Sequence, residues 1–153
     1  PIRVYADTSV FGGVFDSEFQ TASRTFFDQV KSGRFRLVTS ALVQYEISQA
    51  PDRVRELFDD VMDIMAVADI TDETYSLQDA YLSAGIVAAG YAEDALHVAI
   101  ASVSGCSLVV SWYFRHIVHF QKIPLYNAVN ILEGYDQIGV FSPLEVLSYE
   151  EGI

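Results

Sequence analysis

What this chain lacks narrows its chemistry first. Its 153 residues include a single cysteine, Cys106, so no intrachain disulfide can form and no Cys/His cluster supports structural zinc. The flanking Ser104-Gly105 and Ser107-Leu108-Val109 are small or apolar, which reads as a buried structural thiol in a reducing cytoplasm. Basic residues are scarce: 9 Lys and Arg stand against 21 Asp and Glu, for a net charge of −12. Sequence-independent grip on a phosphate backbone depends on Lys and Arg displacing counterions. Any dealing with nucleic acid would therefore require a metal ion or a basic partner. No apolar run approaches the roughly 20 residues of a membrane span, and no cationic stretch followed by an apolar run opens the chain. Neither membrane insertion nor secretion is expected. Repeats, low-complexity segments and linkers are also missing, and 51% hydrophobic content fits one compact domain spanning 1–153.

Five short segments have strand length and are rich in Val, Ile, Leu or aromatics: Ile2–Ala6, Phe35–Thr39, Ile64–Val67, Ser107–Val110 and Ile138–Phe141. Helical spacing fills the stretches between them. Phe26, Phe27 and Val30 form a stripe ended by Gly33, and Val54, Leu57, Phe58 and Val61 form another opened by Pro51. Thr71 to Gly85 and Ala92 to Val103 read as two further helices, and Ala128 to Leu132 as a shorter one. Strands alternating with helices imply βαβ crossovers, hence an α/β fold with a mainly parallel sheet covered on both faces. Chemistry in such folds sits just past the carboxyl ends of the strands, where strand order reverses.

Three acids stand where a surface acid should not. Asp7 directly follows Ile2-Arg3-Val4-Tyr5-Ala6, and a carboxylate there is costly unless a cation or several donors meet it; an N-cap role is the alternative. Glu46 falls four residues after Leu42 and three after Val43, so it shares their core-facing stripe, or else snorkels to water from its edge. Asp94 opens Asp94-Ala95-Leu96-His97-Val98-Ala99-Ile100-Ala101, a helix apolar almost all round. Interaction with the helix dipole is its simpler explanation, and a hydrogen-bonded core residue is the simpler one for His97. Asp52, Glu56, Asp59, Asp60, Asp72, Glu73, Glu150 and Glu151 read as solvated surface. Carboxylates from three separate segments near one end of a sheet suggest a hard-cation site, for which Mg²⁺ or Mn²⁺ is suited by oxygen ligands.

Asp7-Thr8-Ser9, Glu46 and Asp94-Ala95-Leu96-His97-Val98-Ala99 together resemble the acidic motifs of PIN-domain nucleases, including the VapC-like toxins of type II toxin–antitoxin pairs. The resemblance continues through Ser111-Trp112-Tyr113-Phe114-Arg115-His116-Ile117, Asn127-Ala128-Val129-Asn130, Gly134-Tyr135 and Ser142-Pro143, and so covers essentially the whole chain. It implies a three-layer α/β/α domain with sheet order 3-2-1-4-5, and a metal-dependent endoribonuclease with Asp7, Glu46 and Asp94 as catalytic and metal-binding acids. It also implies cleavage leaving a 3′-hydroxyl and a 5′-phosphate, a homodimer, and a small antitoxin partner with a basic tail. Thr8, Ser9, Ser111, Tyr113, Arg115 and His116 are placed around the acids or the RNA. One position departs from the pattern: where the family carries Asp or Asn after Ser111-Trp112, this chain has Tyr113. A phenol is a poor Mg²⁺ ligand at neutral pH and takes up room, so one well-held cation is expected.

Two rivals follow from the same residues. A degenerate PIN domain that binds RNA or protein without cutting is motivated by Tyr113 and the charge of −12. A phosphoryl-accepting receiver domain needs a strand-end lysine, and only Lys31 and Lys122 exist, the latter in Lys122-Ile123-Pro124. For the dimer, Phe26, Phe27 and Phe58 exceed what one face of a small sheet obviously needs, with ordinary core packing as the alternative.

Overall fold

A computed structural model describes residues 1–147. Glu150 and Glu151, and the end of the expected 1–153 domain, lie outside the described residues. Five strands, β1 (Ile2–Ala6), β2 (Phe35–Ser40), β3 (Met65–Ala68), β4 (Leu108–Val110) and β5 (Gly139–Phe141), form one sheet in the order β3-β2-β1-β4-β5. Every pairing is parallel, and the order is the one the family resemblance implies. β1 is central, and its Val4, Tyr5 and Ala6 are fully buried, as a strand covered on both faces must be.

Seven α-helices connect the strands among the described residues and an eighth follows β5: α1 (Thr8–Gly13), α2 (Gln20–Lys31), α3 (Ala41–Ser48), α4 (Asp52–Val61), α5 (Asp72–Ser83), α6 (Ala92–Val103), α7 (Ile123–Leu132) and α8 (Pro143–Val146). They pack in two groups, α1 to α4 with α8, and α5 to α7, which flank the sheet. Helix boundaries follow local chemistry. Ser40 caps α3 by accepting from the Val43 N–H, and Thr71 and Thr74 form a reciprocal box at the start of α5. Past α2, Gly33 takes φ +91°, and past α5, Gly85 takes φ +75°, left-handed conformations that glycine reaches without a Cβ penalty.

The structure corrects several expectations. β3 begins at Met65, because Ile64 belongs to a single 3₁₀ turn that ends α4. α7 starts at Ile123, five residues before Ala128, with Pro124 in its first turn, where the missing N–H costs nothing. Lys122 is thus a residue flanking a helix, and its ammonium donates to the Ile86 carbonyl, so the receiver-like strand-end lysine does not exist. Phe26, Phe27 and Phe58 are all buried, packed with Phe11 and Phe35 between α1, α2, α4 and β2. They complete this chain's own core and supply no argument for a second copy. Cys106 is a buried free thiol, and no helix of the described residues is long and apolar enough to cross a membrane.

Candidate active site

The strand order reverses between β1 and β4, and Asp7 leaves β1 at that point, its N–H bound to the Val110 carbonyl of β4. Asp7 is 5% exposed. Its Oδ1 accepts from the Ser9 N–H at 3.1 Å and the Ser9 hydroxyl at 2.5 Å, and its Oδ2 accepts from the Ser111 hydroxyl at 2.7 Å. Asp7 is therefore the N-cap of α1 and a strand-end acid at once; the two readings describe the same side chain. Burial raises its pKa, against the lowering effect of the His97 charge and the two serine hydroxyls. Ser9 and Ser111 are themselves anchored, accepting from the backbone N–H groups of Trp112 and Tyr113 at 2.8 and 2.9 Å.

Glu46 sits on α3, one residue before the buried Ile47, and its side chain keeps 26% exposure. Oε1 accepts from Thr8 at 2.7 Å and meets His97 Nε2 at 2.8 Å. Burial alone would push this carboxyl up, but the His97 hydrogen bond and charge, with the Thr8 hydroxyl, outweigh it and hold its pKa low. His97, on α6, is the hub. Its Nδ1 lies 2.7 Å from the buried Tyr5 hydroxyl, which also meets Ser40 Oγ at 2.9 Å. Burial would lower the imidazole pKa; Glu46, Asp7 and Asp94 together raise it instead.

Asp94 stands one turn before His97 on α6. Its Oδ2 lies 3.1 Å from Nδ1 of His116; burial raises its pKa, partly offset by His116. His116 was expected beyond β4 as a group that could touch RNA. It is buried, held by the Tyr126 hydroxyl on its carbonyl at 2.9 Å and packed against the rings of Tyr91 and Tyr113. Arg115 is exposed, with its guanidinium 5.5 Å from the centre of the Tyr91 ring, and it forms no pair with a surface acid among the described residues. Tyr113 faces this neighbourhood: its pKa is raised by burial and by the Asp94 charge.

Asp7, Glu46 and Asp94 thus share one end of the sheet; Glu46 bonds His97 directly, while Asp7 and Asp94 act on that imidazole through charge alone. Their oxygens are the donor chemistry a hard cation takes, and Oε2 of Glu46 and Oδ1 of Asp94 accept no hydrogen bond within the described residues. No group of three or more His, Cys, Asp and Glu among the described residues is spaced to hold a common ion. Mg²⁺, which commonly binds through one or two carboxylates and retains several waters, is compatible with that arrangement.

Tyr5 and Tyr91 were not singled out from sequence. A signal existed for each: Tyr5 shares the strand face of Asp7 by period two, and Tyr91 precedes Asp94 by three.

No protein-family profile and no curated protein matches this chain. Among solved structures, it is similar in fold to a chain in the crystal structure of VapBC2 from Rickettsia felis bound to a DNA fragment from their promoter, with a TM-score of 0.54 and 10% identity over 92% of this chain and 98% of that one. At that identity the likeness is one of architecture: this chain has a PIN-like α/β fold.

Proposed function

We propose that this chain is a metal-dependent endoribonuclease of the VapC-like kind, with Asp7, Glu46 and Asp94 as its acids and Mg²⁺ or Mn²⁺ as its cation. The observation that carries the reading is the buried Asp7 at the switch between β1 and β4, with Glu46 bonded to His97 and Asp94 one turn before that histidine on α6. A divalent cation bound there would polarise a phosphodiester and lower the pKa of an attacking water. The chain's own residues supply orientation. Ser9 and Ser111 fix both oxygens of Asp7, Thr8 and His97 fix one oxygen of Glu46, and His116 fixes one of Asp94. Such supports hold a site to the precision that metal-assisted hydrolysis requires. A charge of −12 suits a small partner with a basic tail, and the proposed setting is the cytoplasm, as a homodimer.

The test is cleavage of single-stranded RNA by the purified chain with Mg²⁺ or Mn²⁺. Activity should vanish with chelator and with Asp94→Ala. A folded wild-type chain inert under every divalent metal would refute the enzyme. It would favour the second reading, a non-catalytic binding module, which draws support from the engagement of Glu46 and Asp94 by His97 and His116 and from Tyr113.

A further inference from the structure

Helix α7 carries apolar side chains on both of its faces. Tyr126 and Val129 turn inward and are buried, with Asn130 beside them. On the opposite side Pro124, Leu125, Ala128, Ile131 and Leu132 are all exposed, Leu125 at 48%, Ile131 at 56% and Leu132 at 83%. Spacings of three and four residues join them into one stripe, where an ordinary surface carries such side chains singly. The stripe is symmetric about its middle. Small Ala128 stands at the centre, with Leu125 and Ile131 three residues to either side, and Pro124 and Leu132 four. The ends of the helix carry the charges that its own dipole disfavours. Lys122 is the N-cap and Glu133 the C-cap, whereas anions suit a helix N-terminus and cations a C-terminus.

We propose that α7 pairs with α7 of a second copy of this chain, antiparallel, about a two-fold axis beside Ala128. In an isologous contact each residue meets the counterpart of another and is met by it in turn. Leu125 then faces the partner's Ile131, Pro124 faces the partner's Leu132, and Ala128 meets the partner's Ala128, whose small side chain lets the helices approach. The same axis sets Lys122 against the partner's Glu133, and sets each charge beside the opposite pole of the facing helix. Lys122 gives one proton to the Ile86 carbonyl, and its ammonium has two more to offer. A different protein would have to be built to this pattern, whereas a copy of the chain matches it by symmetry. A contact one helix long, about 15 Å, falls short of the roughly 800 Å² per partner of a standard interface. The pair therefore dissociates in the micromolar range. Pairing also fixes where the acids lie. α7 starts beside His116, bound through Tyr126, and leads to the start of β5 next to that of β4, so it runs against the strands. The two-fold turns the carboxyl ends of the two sheets, with Asp7, Glu46 and Asp94, in opposite directions. This pairing goes beyond the nuclease reading and holds whether or not the chain cuts RNA.

Sedimentation velocity on the full chain between about 1 and 100 μM should show a monomer passing into a dimer. Leu132 is the most exposed member of the stripe, so Leu132→Glu should leave the far-UV spectrum unchanged while raising the dissociation constant about ten-fold or more. Glu133→Lys, which sets like charges against each other across the axis, should raise it about three-fold. Oxidative cross-linking reads the geometry. Ala128→Cys should link to itself across the axis, whereas wild type, whose Cys106 is buried, should not. Leu125→Cys should not link to itself, because the two α-carbons would stand about 9 Å apart along the helices, beyond the ~7 Å limit of a disulfide. Mixed with Ile131→Cys, it should. A wild type that stays monomeric over the whole range would leave the face to a different protein and overturn the pairing. So would a dimer indifferent to Leu132→Glu or Glu133→Lys, or one that self-links at Leu125→Cys in place of Ala128→Cys. None of these readouts involves RNA, so failure of the pairing and failure of the nuclease are scored apart.

Discussion

Replacing His97 by glutamine tests the electrostatic centre of the site. The imidazole is 3% exposed and holds Glu46 at 2.8 Å and Tyr5 at 2.7 Å. Removing one partner of a fully buried ion pair costs about 3–5 kcal/mol, but Glu46 keeps 26% exposure and regains water, which discounts the upper end. Tyr5 retains Ser40 as a partner. A loss of about 2–3 kcal/mol follows, or roughly 5–10 °C in Tm for a chain of this size. A double-mutant cycle with Glu46→Gln isolates the pair, with an expected coupling of about 1–2 kcal/mol in urea unfolding. Its pH dependence has a definite shape. The Glu46 carboxyl is depressed, so its contribution is present above its ordinary pKa and fades as pH falls through the depressed value. The His97 imidazole is raised, so its contribution is complete below its ordinary pKa and is lost as pH rises through the raised value. Coupling should therefore peak in the weakly acidic range and decline on both sides. A coupling indistinguishable from zero, or one that grows toward alkaline pH, would refute an ionised pair.

Asp7→Asn keeps the cap on the Ser9 N–H and removes a buried charge, so without metal it should leave Tm unchanged or raise it near neutral pH, with the gain vanishing in acid where Asp7 is protonated. Mn²⁺ binding, followed by calorimetry, should weaken in the same variant; a clear loss of metal-free stability would make Asp7 chiefly a structural cap. Thr39 on β2 is fully buried and its hydroxyl has no hydrogen-bond partner, so Thr39→Val, similar in shape and free of the orphan, should stabilise by about 1 kcal/mol in urea titration. Gly13→Ala would set a Cβ 2.5 Å from Ser23 Oγ and 2.7 Å from Trp112 Nε1, two atoms that hydrogen-bond each other. A destabilisation of about 1–3 kcal/mol should appear with a change in Trp112 fluorescence, and an unchanged spectrum would show that the loop beyond β4 does not depend on this contact.

The sheet was legible because burial on both faces forces continuous apolar runs, and each expected strand overlaps an observed one. Helices were legible where an apolar stripe met a stop or start signal, as in α2, α4, α5 and α6. α1 was hidden, since Thr8-Ser9-Val10-Phe11-Gly12-Gly13 carries two glycines and little helical propensity; it forms on the Asp7 cap and the burial of Val10 and Phe11. The true start of α7 was obscured because Lys122-Ile123-Pro124 suits two explanations, and only packing decides between them.

The acids of the site stood out for the same reason as the strands: a charge inside an apolar pattern breaks a rule that every neighbour obeys. Their partners broke no rule. His97 meets Glu46 across 51 positions and His116 meets Asp94 across 22, separations with no local period, so pairing waits on the fold. Each histidine was an ordinary core or loop residue until the fold set it against a carboxylate. Those pairings settle what a cation would have to compete with. Glu46 and Asp94 each give one oxygen to an imidazole and leave one without a partner, while Asp7 has both oxygens engaged by hydroxyls. Of the three acids, Asp7 is thus the one whose buried charge is met only by neutral hydrogen-bond donors, with the His97 charge acting on it without a direct bond. A cation gains most beside such a group, because its field offsets a burial cost that neutral donors only partly cover.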